Sequence, residues 1–148
     1  MKKIFLIILM LFFCTVKSQK NYTKERKQAI KVLKSLNYSY LKKDKNLNEF
    51  FTESVQCSIC EIENGYDNEY LIKNQIFIKN NLKEVIGFLN YKMIKKSKSQ
   101  FSKQENDFVL SYETVKSNEK TQFEGASALI IFKKEDGNLK IYGIQTIP

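Results

Sequence analysis

The chain has 148 residues, with 25 Lys and Arg against 16 Asp and Glu, a net charge of +9, three cysteines, one proline and no histidine. The missing histidine removes imidazole from general-base work, from activation of a serine or cysteine nucleophile, and from metal ligation. All the basic residues but Arg26 are lysines, and they are spread along the whole chain; planar phosphate recognition favours Arg, so the positive charge does not mark a nucleic-acid protein.

The N-terminus reads as a secretory signal peptide over residues 1–18. Met1-Lys2-Lys3 is a charged start, Ile4 to Cys14 is an apolar run too short to span a bilayer, and Val16-Lys17-Ser18 offers small or β-branched residues before the cut. Lipoprotein processing at Cys14 is the weaker alternative, because bulky Phe13 stands where that processing wants a small residue. Residues 19–148 then form one exported domain, periplasmic or secreted, with no later stretch long enough to cross a membrane.

Tyr22 to Lys43 predicts the first helix. Ile30, Leu33, Leu36, Tyr40 and Leu41 recur near helical spacing, and Thr23 is placed to cap the first turn. Asn46 with Glu49 three residues later has the form of a capping box, opening a short helix from Leu47 to Thr52 whose Phe50, Phe51 and Val55 reach the core. Charge segregates here: residues 19–45 carry nine basic and two acidic side chains, whereas residues 46–72 carry six acidic and no basic ones. A solvated acidic face and a patch for a cationic partner both fit that segregation.

Cys57 and Cys60 follow. In a compartment that permits disulfides they read as a structural bond, which requires a turn at Ser58-Ile59 because residues three apart on a strand point to opposite faces. A thiol-disulfide enzyme is the alternative reading of the pair, although no βαβ unit or neighbouring proline accompanies it. Two cysteines without histidine supply too few ligands for structural zinc. Glu61, Glu63, Asp67 and Glu69 suggest a calcium loop, yet counting from Glu61 places Gly65 fifth where an EF-hand needs glycine sixth. No metal or other cofactor is expected.

From about Asn74, the stripe Ile78, Leu82, Val85, Ile86, Leu89 and Met93 predicts a third helix, with Gly87 as a point where it could break. Lys95 to Asn106 lacks apolar periodicity and reads as an exposed loop. Three antiparallel strands then close the chain. Asp107 to Val115 is rich in aromatic and β-branched residues, Ser117 to Lys120 turns the chain, and Phe123 to Phe132 follows; the Asp136-Gly137 hairpin leads into Leu139 to Ile147. The run Ala126 to Phe132 is apolar on both faces, so one face of it needs a cover other than the helices.

This order of helices before a C-terminal meander resembles the NTF2-like (cystatin-like) superfamily, in which a curved sheet wraps a long N-terminal helix. The stretch Cys57-Ser58-Ile59-Cys60, with Tyr70 to Ile78 after it, is also similar to small exported bacterial proteins of unknown function. The resemblance implies an α+β domain, N-terminal helices on a curved antiparallel sheet. The chain departs from it in reading with three strands, Leu89 to Lys96 having a helical pattern. That superfamily hosts isomerases, dehydratases, ligand-binding modules, immunity proteins and transport adaptors, so the fold chooses no function.

The sequence therefore predicts an exported, non-enzymatic binding domain for a protein partner or a small apolar ligand. Tyr112, Glu113, Leu129 and Ile131 are the candidate pocket or partner face, and the open sheet face is also a candidate homodimer contact. The alternative is a pocket enzyme in which Glu113 and Tyr112 carry acid–base chemistry.

Overall fold

The structure is a computed structural model that describes residues 22–60, 71–116 and 125–147. The expected leader, the acidic run from Glu61 to Glu69 and the turn at Ser117 to Lys120 lie outside the described residues.

Helix α1, Thr23–Leu41, buries Ala29, Leu33 and Leu36, which follow one another at intervals of four and three and so form one stripe. Ile30 and Tyr40 flank that stripe, whereas Leu41 stands 81% exposed past its end. Thr23 is the first helical residue, not the cap; Tyr22 occupies the cap position without a side-chain bond. The expected capping box at Asn46 does not form either. Leu47–Phe50 makes one 3-10 turn, and the chain then extends as strand β1, Phe51–Cys57. Phe51 and Val55 do reach the core as expected, but from a strand and not a helix.

After β1, strand β2 spans Leu71–Lys73, and the predicted third helix is three pieces: α2, Asn74–Asn80; α3, Leu82–Val85; and α4, Tyr91–Lys96. The break has named causes. Carbonyls that a continuous helix would consume are taken by other elements: Tyr112 Oη donates to the Phe88 carbonyl at 2.7 Å, and Asn37 Nδ2 donates to the Leu89 carbonyl at 3.1 Å. The same Asn37 side chain accepts from the Tyr91 N–H at 3.1 Å, and Asn90 caps α4 by accepting from the Lys92 N–H at 3.0 Å. One buried-side asparagine thus satisfies the backbone on both sides of the gap.

Lys95 to Asn106 is not a loop throughout: it contains strand β3, Ser99–Gln104, which pairs antiparallel with β4, Asp107–Val115, across a two-residue turn at Glu105-Asn106. Strand β5 is Ala126–Glu135 and β6 is Asn138–Ile147. Both residues of the Asp136-Gly137 turn have positive φ, 49° and 82°, as expected of a tight hairpin. The strands form one six-stranded sheet in the order β2-β1-β6-β5-β4-β3. It is curved and unclosed. All its neighbours run antiparallel except β1 and β6, which are parallel, so the first half of the chain adds two strands to the C-terminal meander.

Where β1 meets β6 the register slips between Phe51 and Gln56, and Thr52 fills the irregularity, buried, with its hydroxyl donating to the Ser54 carbonyl at 2.6 Å. The helices cover one face of the sheet. Phe108, Leu110 and Tyr112 of β4, Ala128, Ile130 and Phe132 of β5, and Leu139, Ile141 and Ile144 of β6 join the helical residues in a single core. Helix α1 packs chiefly on β6, and α2 seats Phe77 edge-on against Phe51 of β1, ring centroids 5.2 Å apart. Each such fully buried aromatic contributes on the order of 1.5–3 kcal/mol relative to exposure. The result is an α+β domain with helices on one face of a curved sheet, as the resemblance implies, with six strands where the sequence predicts three.

Candidate functional site

Tyr112 and Glu113 are consecutive on β4 and therefore face opposite sides of the sheet. Tyr112 lies in the core, 1% exposed, and its hydroxyl is committed to Phe88; burial pushes that hydroxyl up from 10.0 to about 12. Glu113 stands partly exposed on the outer face. The two do not share a pocket, so they form no acid–base pair.

Leu129 and Ile131 share that outer face with Glu113, both partly exposed, while Ala128 and Ile130 point into the core. Much of the cover the apolar run needs comes from the sheet itself. Gly143 stands opposite Ile131 on β6, and a Cβ there would meet Ile131 Cδ1 at 3.0 Å, so the missing side chain lets Ile131 lie across β6. On the other side, Val109 of β4 pairs with Ile131 and is only 5% exposed although it belongs to the outer face. Nearby, Lys133 Nζ sits 3.4 Å from the centre of the Tyr142 ring.

Cys57 and Cys60 are bonded, Cα atoms 5.5 Å apart, across the turn at Ser58-Ile59 that the spacing requires. The Ser58 N–H donates to the Ile144 carbonyl at 3.1 Å, which ties this turn to β6. The bond fastens the end of β1 to the turn that follows it.

A different place gathers more functional groups. Between the N-terminal half of α1, the end of α4 and strand β3 runs an open groove of about 1190 Å³. It receives Tyr22 from the cap of α1, Thr23, Arg26, Lys27 and Ile30 from α1 itself, Lys95 from α4, and from β3 every residue from Ser99 to Lys103. Four cationic side chains therefore line it, and none of its lining residues is acidic. Its apolar lining is Tyr22, Ile30 and Phe101, and the two rings rest on buried Phe108 beneath them: Phe101 stacks on Phe108 at 5.9 Å, and Tyr22 meets Phe108 edge-on at 5.8 Å. Arg26 Nη2 donates to Ser99 Oγ at 3.3 Å and so links the helix to the strand across the groove.

Chemically this arrangement attracts and orients anionic groups. Arg supplies a planar fork of donors and Lys a point charge, and the aromatic surface gives an apolar or π-bearing body a place to lie. Of its two serines, Ser99 is bonded to a guanidinium, and neither Ser99 nor Ser102 has a carboxylate or imidazole in the lining to take its proton. The sequence marks no site here, because half of the groove is β3, whose lack of apolar periodicity gives it the pattern of a loop. The lysines were visible but uniformly spread, and only the pairing of β3 with β4 brings Lys103 toward Arg26 and Lys27.

Among the described residues no cluster of three or more cysteine, aspartate and glutamate side chains could hold a metal ion, and the acidic run considered for calcium lies outside them. No described helix is long and apolar enough to cross a membrane.

No protein-family model matches the sequence, and no curated protein matches it. Among solved structures the chain is similar to one named Rd1NTF2_05, at 13% identity and a TM-score of 0.41, over 83% of this chain and 99% of that one. It is also similar to an NTF2-like protein of unknown function from Shewanella baltica OS155, at 11% identity and a TM-score of 0.39, over 87% of this chain and 98% of that one.

Proposed function

We propose that this chain is an exported binding domain that holds an anionic partner in the groove between α1 and β3 and carries out no chemistry on it. The observation that carries the reading is the lining: Arg26, Lys27, Lys95 and Lys103 converge on one concave surface with no acidic side chain among them, around an aromatic patch. Like charges gathered on one face repel one another, so such a face is costly unless something of opposite charge spends time in it. Export is expected from the N-terminal pattern and suits a domain that, among its described residues, holds the Cys57–Cys60 disulfide and no reactive constellation. The outer sheet face, with Leu129 and Ile131, is the weaker candidate, because Gly143 and Val109 already let Ile131 pack within its own sheet.

The test is a fluorescence titration with 8-anilinonaphthalene-1-sulfonate, whose sulfonate and fused rings match the two halves of the groove. The purified chain binds the dye in a salt-dependent manner, and Arg26→Glu with Lys103→Glu weakens binding by roughly tenfold, about 1.4 kcal/mol. Equal binding by the charge-reversed variant, with its circular dichroism unchanged, refutes the reading.

A further inference from the structure

Five consecutive residues of β3 line the groove, Ser99 through Lys103. A strand that lines a cavity with one face contributes alternate residues. Contribution of every residue means that the groove runs along the strand's edge. That edge is free: β3 ends the sheet and pairs only with β4 among the described residues.

The register says which backbone groups the edge presents. The Glu113 N–H donates to the Lys98 carbonyl at 3.3 Å, so Lys98 and Glu113 form a hydrogen-bonded pair. Bonded and non-bonded pairs alternate along an antiparallel ladder. Gln100, Ser102 and Gln104 therefore spend their N–H and C=O groups on β4, opposite Ser111, Val109 and Asp107. The Gln104–Asp107 pair closes a two-residue turn, as a hydrogen-bonded pair should. Ser99, Phe101 and Lys103 are left with N–H and C=O aimed outward, along the groove. This is a template for one more strand.

We propose, resting on the groove reading above, that the partner is an acidic protein segment that binds in extended form by adding a strand to the free edge of β3. Main-chain hydrogen bonds at Ser99, Phe101 and Lys103 hold it, Arg26, Lys27, Lys95 and Lys103 meet its carboxylates, and Phe101 takes an apolar side chain between them. Its volume, about 1190 Å³, exceeds the 300–1,000 Å³ usual for a small-molecule pocket and suits a chain segment. Charge selects the occupant. A second copy offering its own β3 would set Lys103 and the neighbouring cations against their equals, whereas an acidic strand meets only opposite charge.

The probe is an acetylated, amidated eight-residue peptide of alternating glutamate and valine, titrated into the ¹⁵N-labelled chain. Two further peptides are N-methylated, one at every valine and one at every glutamate, so that each lacks one edge of donors. The expected result is saturable binding of the parent, at least tenfold weaker binding of one methylated peptide, and new exchange protection at the Ser99, Phe101 and Lys103 amides. The Gln100, Ser102 and Gln104 amides are protected already in the free chain. If all three peptides bind equally, strand addition is overturned while the anionic groove stands. If the dye binds but the parent peptide does not, the peptide proposal is likewise overturned. Should the charge-reversed groove bind both as the native chain does, it is the groove reading that fails.

Discussion

At the scale of single residues, Tyr112 and Gly143 carry structural weight that their neighbours conceal. Tyr112 occupies the core with one polar atom, and its bond to the Phe88 carbonyl keeps that burial from being costly. Tyr112→Phe should lower stability by about 1–2 kcal/mol in a urea titration. The raised titration of this hydroxyl adds a pH signature. Between 10.0 and about 12 the unfolded chain releases this proton while the folded chain keeps it, so stability from this group is intact below pH 10 and is lost as pH rises through that window. The native protein should therefore lose stability more steeply above pH 10 than Tyr112→Phe; parallel curves for the two would contradict the burial assigned to the hydroxyl. Gly143 matters through space. Gly143→Ala pushes a methyl group into Ile131 and should destabilise by about 1–3 kcal/mol, and adding Ile131→Ala should recover part of that loss in a double-mutant cycle.

At the scale of elements, the segment between α3 and α4 is held less by helix propensity than by two side chains from elsewhere. Removing the amide of Asn37 strips the Leu89 carbonyl and the Tyr91 N–H of their partner together. Asn37→Ala should cost about 1–3 kcal/mol and speed hydrogen exchange at the Tyr91 amide before it affects β5 or β6. This segment also marks where sequence reading stops. The stripe Leu82, Val85 and Leu89 was legible because burial really does recur there, but the break depends on carbonyls claimed by residues 52 and 24 positions away along the chain. The C-terminal meander was legible because β4, β5 and β6 carry their own alternation and one of their turns holds Asp-Gly. Strand β1 was obscured by the bulge at Thr52, which breaks the period of two, and β3 by having Phe101 as its one apolar residue. An edge strand buries little, so it writes little into sequence. The proposed site went unseen for that reason, since it is built along the least legible strand.

At the scale of the whole molecule, the sheet divides two kinds of surface. Its helix-covered face is committed to one core, and its outer face closes much of its own apolar area through the Val109, Ile131 and Gly143 row. Among the described residues, the groove at the β3 end is where positive charge, aromatic surface and a strand edge paired on one side only coincide. A chemical-shift map of the ¹⁵N-labelled chain with 8-anilinonaphthalene-1-sulfonate distinguishes these surfaces in one experiment. The account predicts perturbations at Tyr22 to Ile30, Lys95 and Ser99 to Lys103, fading as salt is raised. Perturbations centred instead on Glu113, Leu129 and Ile131, with the groove unmoved, would contradict it.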